Sequence, residues 1–235
     1  GDGRAARRRL WCRAEIRQLP LTVTPAAAPI DDLTIRSAVT ADASALARFA
    51  ELCFRDTFER DNAASDMAQY VASAFGERQQ RAEIADASRT ILLAETGDVI
   101  VGYAQLLDAP APTEITATPA MELERFYVAR EWHGLGLAQL LMTRVIAVAS
   151  QAGAAALWLG VWERNARAIA FYRKFGFIDV GPKSFMLGSD LQNDRIMCRP
   201  IGNRSTGEAT RQSQAGAPSN TAGATGVVPT NIAQV

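Results

Sequence analysis

The segment Glu122-Leu-Glu-Arg-Phe-Tyr-Val-Ala-Arg-Glu-Trp-His-Gly-Leu-Gly-Leu-Ala138 changes its hydrophobic period partway along. Up to Val128 it has the aliphatic and aromatic density of a strand. From Gly136 to Ala152, Leu137, Leu140, Leu141, Val145 and Val148 recur at helical spacing. The segment therefore predicts a strand that passes through a short loop into a helix. Gly134 and Gly136 lie in that loop, where the lack of a side chain lets the backbone approach a ligand closely. Helix-start amides have no intrahelical acceptor and sit at the positive end of the helix dipole, so such a turn suits a pyrophosphate. The turn lacks the full Gly-x-Gly-x-x-Gly of a dinucleotide fold and the Gly-Lys-Ser/Thr of a P-loop, which argues against NAD and ATP.

Upstream, Leu33 to Val39 reads as a strand, and Thr40-Ala41-Asp42 leads into a helix with Leu46, Phe49, Ala50 and Cys53 on one face. A polar helical stretch covers roughly Ala64 to Ala87. Thr90 to Glu95 and Val99 to Leu107 read as strands joined by the hairpin signal Thr96-Gly97-Asp98. Downstream, Ala156 to Val161 is a buried strand, and Asn165 opens a helix that runs to Phe175 and stops at Gly176. Phe177 to Val180 and a segment near Arg195 to Arg199 complete the strands.

The 235 residues, 48% of them apolar, suffice for one sizeable core. We divide them into a basic leader at 1–32, a folded domain at 33–201 and a tail at 202–235. The leader holds six arginines, and the tail is rich in Gly, Ser, Thr, Ala and Asn; both read as disordered. Arg13, Glu15 and Arg17 interrupt the apolar run that an export signal would need. No run of apolar residues is long enough to span a membrane. Residues 31 to 201 hold 22 acidic and 17 basic residues, a net charge of −5 that attracts cations, and no basic patch with interleaved aromatics marks a nucleic-acid binder. The three cysteines, Cys12, Cys53 and Cys198, follow no metal or disulfide spacing, which fits a reducing cytoplasm.

The run His133-Gly-Leu-Gly136-Leu-Ala138 resembles the acetyl-CoA signature of GNAT acetyltransferases, Q/R-x-x-G-x-G/A, with His133 where Gln or Arg is usual. A second motif follows in the expected order: Trp158-Leu-Gly-Val-Trp-Glu-Arg-Asn165, then a helix ending Phe171-Tyr172-Arg-Lys-Phe-Gly-Phe177. It is similar to the other GNAT hallmark. A narrower likeness is to Pai-type spermidine/spermine acetyltransferases, carried by Asp56-Thr-Phe58, Trp158 to Glu163, Phe185-Met-Leu-Gly188 and Gln192-Asn-Asp194-Arg-Ile-Met197. Lys183 stands where that group has His.

The resemblance implies a mixed, mostly antiparallel six- to seven-stranded twisted sheet flanked by helices and splayed at the fourth and fifth strands. It also implies acetyl-CoA as co-substrate, a small amine such as a polyamine as acceptor, and a homodimer by analogy. Cofactor contacts are expected from Phe126, Tyr127, Val128, His133, Gly134, Leu135, Gly136, Leu137, Ala138, Asn165 and Lys174, with Arg130 a further phosphate candidate. Asn165 is equally a helix N-cap, and His133 is expected to contribute its backbone rather than move protons. Tyr172 is the candidate general acid, since a phenol has a pKa of about 10, near that of an alkyl thiol. Glu122 is the candidate base; Glu124, two residues on and therefore on the same face, or ordered water are its alternatives. A protein N-terminus, a lysine side chain or an aminoglycoside stays open as acceptor, as does a non-catalytic acyl-CoA sensor.

Overall fold

The computed structural model describes residues 32–202 except 61, 188 and 189, and of 185–187 and 190–192 the backbone only. The expected leader and tail lie outside these residues, except at the boundary positions 32 and 202.

The chain runs β1 (Leu33–Ser37), α1 (Ala43–Phe58), α2 (Ala64–Ala74), α3 (Glu77–Ala85), β2 (Arg89–Thr96), β3 (Val99–Leu107) and β4 (Ala120–Val128). It continues through α4 (Leu137–Gln151), β5 (Ala156–Trp162), α5 (Ala166–Lys174), β6 (Ile178–Leu187) and β7 (Asp190–Pro200). The strands form one seven-stranded sheet in the order β1-β2-β3-β4-β5-β7-β6, antiparallel except where β4 meets β5.

Both faces of the sheet are covered, which explains why its central strands are nearly continuous apolar runs. On β2, Leu92 and Ala94 pack on one side with Leu141, Val145 and Met142 of α4, while Ile91 and Leu93 pack on the other with Phe54 and Phe58 of α1 and Tyr70 of α2. A smaller cluster of Ala120, Ala156, Trp158 and Ile196 lies under Ala111 and Ile115 of the β3–β4 connection. Each fully buried leucine or phenylalanine contributes roughly 1.5–3 kcal/mol.

Two expectations change in detail. The polar stretch from Ala64 is two helices, because the buried ring of Phe75 and the extended Gly76 that caps α3 break it. β6 and β7 run well beyond the predicted segments. Gly181 and Pro182 conceal this in the sequence, and the irregularity between Asp179 and Gly181 lets the ladder continue past them.

Candidate active site

The parallel ladder of β4 and β5 has three rungs: Ala120 with Ala156, Met121 with Leu157 and Glu122 with Trp158. Beyond Glu122, β4 stays with β3 and β5 stays with β7, so the two strands open into a V. The β3–β4 pairing steps from Leu106–Leu123 to Gln105–Arg125 and leaves Glu124 as the extra residue of a bulge, a feature that bends its strand. The amide of Ala129 donates to Val101 O at 2.9 Å. By alternation the backbone of Tyr127 also faces β3, and that of Phe126 and Val128 faces the V.

The loop after β4 is anchored by buried Trp132 and delivers the glycines to α4. Gly134 (φ 79°) and Gly136 (φ 93°) are left-handed, and a Cβ on either would meet no atom within 4 Å. Backbone conformation, not space, therefore selects glycine there. The ladder of α4 begins with Leu140 N to Gly136 O at 3.1 Å, so the amides of Leu137, Ala138 and Gln139 precede it. Beside them lies a cleft of about 500 Å³, lined by His133, Gly134, Ala138, Arg167, Phe171 and Lys174. Leu135 is partly exposed on the same loop. Arg130 borders a different cleft, with Leu52 and Cys53.

His133 ties this region together through its side chain, which sequence reasoning did not anticipate. Its ring bonds Val128 O through Nε2 at 3.0 Å, and Arg167 of α5 meets Nδ1 at 3.1 Å. A carbonyl and a guanidinium can both be served only by a neutral imidazole with its proton on Nε2. Burial, which opposes a charged ring, lowers the pKa of His133. Arg167 could have been suspected only as an unmatched cation two residues past Asn165.

Asn165 caps α5, accepting from Ala168 N at 3.1 Å. About two turns along that helix from its cap, Tyr172 is fully buried, edge-on to Phe171 and Phe177. Its hydroxyl has no hydrogen-bond partner among the described residues, and burial pushes its pKa upward.

Glu122 and Glu124 point to the same face but meet different neighbours. Glu124 is hydrogen-bonded to Arg89 and, at 2.8 Å, to Gln105 Nε2. Glu122 is only 4% exposed, its Oε1 lies 3.6 Å from Lys183 Nζ, and burial pushes its pKa up to about 7. Asp194 on β7, 1% exposed, is pushed up to about 7 by the same cause. The sequence reading noted Asp194 within a motif and assigned it no role.

The sequence model of the acetyltransferase (GNAT) family matches residues 49–177, more than half of the chain. The chain belongs to that family. An uncharacterized N-acetyltransferase of Mycobacterium tuberculosis (strain ATCC 25618 / H37Rv) is 38% identical over 118 residues, covering 50% of this chain and 71% of its own. Another, encoded in the pepI 3′ region of Lactobacillus delbrueckii subsp. lactis, is 30% identical over 148 residues, covering 63% and 86%. Among solved structures, the PaiA N-acetyltransferase of Thermoplasma acidophilum in complex with coenzyme A superposes with a TM-score of 0.58 at 17% identity, over 72% of this chain and 98% of that one.

As a GNAT acetyltransferase, the protein uses acetyl-CoA as co-substrate, and the residues present fit it. The left-handed glycine turn, the amides opening α4 and the cations Arg167 and Lys174 suit its phosphates. The hydroxyl of Tyr172 is a buried proton donor without an acceptor among the described residues. Among the described residues no helix is long and apolar enough to cross a membrane.

Proposed function

We propose that this GNAT enzyme acetylates a primary amine of a cationic small molecule, a polyamine such as spermidine or spermine, by direct attack through a tetrahedral intermediate. The observation that carries this reading is Glu122: a buried carboxyl, with its pKa near neutrality, at the last rung before the strands part.

Acetyl-CoA supplies the activated thioester. The backbone groups of Phe126 and Val128 that face the V hold its pantetheine arm, and an amide there faces the developing oxyanion. Glu122, ionised near neutral pH, accepts the proton of the incoming ammonium directly or through water. Tyr172 gives its proton to the departing thiolate; a phenol kept neutral by burial retains that proton until a strong base forms beside it. His133, held neutral, shapes the glycine loop and takes no part in the proton transfers.

The test is calorimetry with coenzyme A, followed by thiol release with spermidine, spermine, lysine peptides and an aminoglycoside. Turnover with the polyamines at least about tenfold above the others is expected, a transition-state difference of about 1.4 kcal/mol. Turnover confined to peptides or aminoglycosides would overturn the choice of acceptor.

A further inference from the structure

The side chains of Glu122, Asp194, Trp158 and Lys183 form a cluster that the transfer chemistry above uses only in part. Lys183 and Asp194 are directly paired across β6 and β7. From that rung the Lys183 side chain brings its ammonium to 3.6 Å from Glu122 and 5.1 Å above the ring centroid of Trp158. Its ammonium thus interacts with both acids: it favours ionisation of Glu122 and of Asp194 against the burial that opposes it.

Two buried carboxyls with one ammonium leave one negative charge uncompensated when both acids ionise. Asp194 is 1% exposed and its Oδ2 has no hydrogen-bond partner among the described residues. Trp158 is 3% exposed, and its Nε1 also has none. A buried carboxylate oxygen without a donor costs free energy that a cationic N–H would recover. Where the Lys183 ammonium lies, the face of Trp158 adds cation–π attraction.

The occupant already present indicates what fits. A lysine side chain is an aminobutyl arm, four methylenes ending in an ammonium. Here that arm starts at the Asp194 rung and ends at Glu122.

We propose that Asp194 binds the distal ammonium of a diamine acceptor whose reacting amine lies at Glu122, and that Lys183 is an internal stand-in for that diamine arm, which the acceptor displaces. The inference rests on the amine-acetylating reading above and makes Asp194 and Lys183 its specificity determinants.

The probe is calorimetric binding of putrescine and of n-butylamine, which differ only in the second amino group, to the full chain saturated with coenzyme A. Wild type is expected to prefer putrescine by about tenfold or more, the scale of one charge-assisted hydrogen bond. Asp194→Asn reduces that preference to about twofold or less, and Lys183→Ala tightens putrescine binding, because one competing positive charge is gone. A wild type that binds both amines equally, or neither, overturns the proposal. So does a preference that survives Asp194→Asn. If Asp194→Asn does not fold, Lys183→Ala decides, and unchanged or weaker putrescine binding counts against the proposal.

Thiol release in the same samples separates the two ideas. Putrescine binding with the expected variant pattern but no acetylation removes the polyamine-acetylating reading and leaves the site. Polyamine turnover without any Asp194-dependent preference removes the site and leaves the reading.

Discussion

Arg167 donates a hydrogen bond to Nδ1 of His133 at 3.1 Å, joining α5 to the loop that opens α4. Because Nε2 of the same ring bonds Val128 O at 3.0 Å, one imidazole fixes the distance between the edge of β4 and the cationic side of the cleft. The His133 pKa is lowered in the folded protein, so the ring contributes stability that is present above its ordinary value of 6.5 and is lost as pH falls through the folded value. Protonation also places a positive ring against Arg167. Thermal stability and coenzyme A affinity should both fall as pH drops below about 6.5. His133→Gln, whose amide can donate to Val128 O and accept from Arg167, should flatten both profiles. Melting and calorimetry across pH check this; an unchanged pH dependence in His133→Gln would count against it.

Tyr172→Phe removes a buried hydroxyl that has no partner among the described residues. Stability should be unchanged or higher by up to about 1–3 kcal/mol, the cost of burying an unsatisfied polar group. The rate should behave differently: kcat is expected to fall by about 10²- to 10⁴-fold if Tyr172 supplies the thiolate's proton. Chemical denaturation and thiol-release kinetics on one preparation check both halves. Near-normal kcat would remove Tyr172 from the chemistry.

Burial raises the Glu122 pKa to about 7, so its base form is gained as pH rises through that value. The kcat profile should therefore climb near pH 7, and Glu122→Gln should abolish the step and lower kcat by about 10²- to 10⁴-fold. The stability term has the opposite sign. A carboxyl with a raised folded pKa stabilises below its unfolded value and loses that contribution as pH rises through the folded one. Glu122→Gln should accordingly gain stability over wild type above about pH 7. A step that persists in the variant would assign it to another group.

Arg125 and Glu83 form a buried pair, at 2.6 Å, with Gln105 Oε1 accepting from the same guanidinium nitrogen at 3.2 Å. Glu83→Ala leaves that guanidinium buried without its main counter-charge and should destabilise the fold by about 3–5 kcal/mol. Denaturant unfolding checks it. A loss below about 1 kcal/mol would mean that water or Gln105 replaces the carboxylate.

The strand, the glycine loop and α4 were legible because each is written in a local pattern: a dense run of strand-forming residues, two closely spaced glycines, then period 3.6. The Asn165 cap and the order of the two motifs were legible for the same reason. α2 and α3 merged in the sequence reading, since the polar run conceals that Phe75 turns inward. β6 was cut short at Gly181-Pro182, where only the pairing partner β7 keeps the strand going.

The sequence by itself determined the family resemblance, the order of elements and the face shared by Glu122 and Glu124, because backbone geometry and side-chain alternation act over a few residues. Tertiary structure alone decided which of those acids is paired with arginine and which is buried beside a lysine, and it brought Lys183 of β6, the cross-strand partner of Asp194 on β7, to Glu122 of β4. It also decided the state of His133. Desolvation and Coulomb interactions depend on what surrounds a group in space, and those surroundings come from strands far apart in the chain.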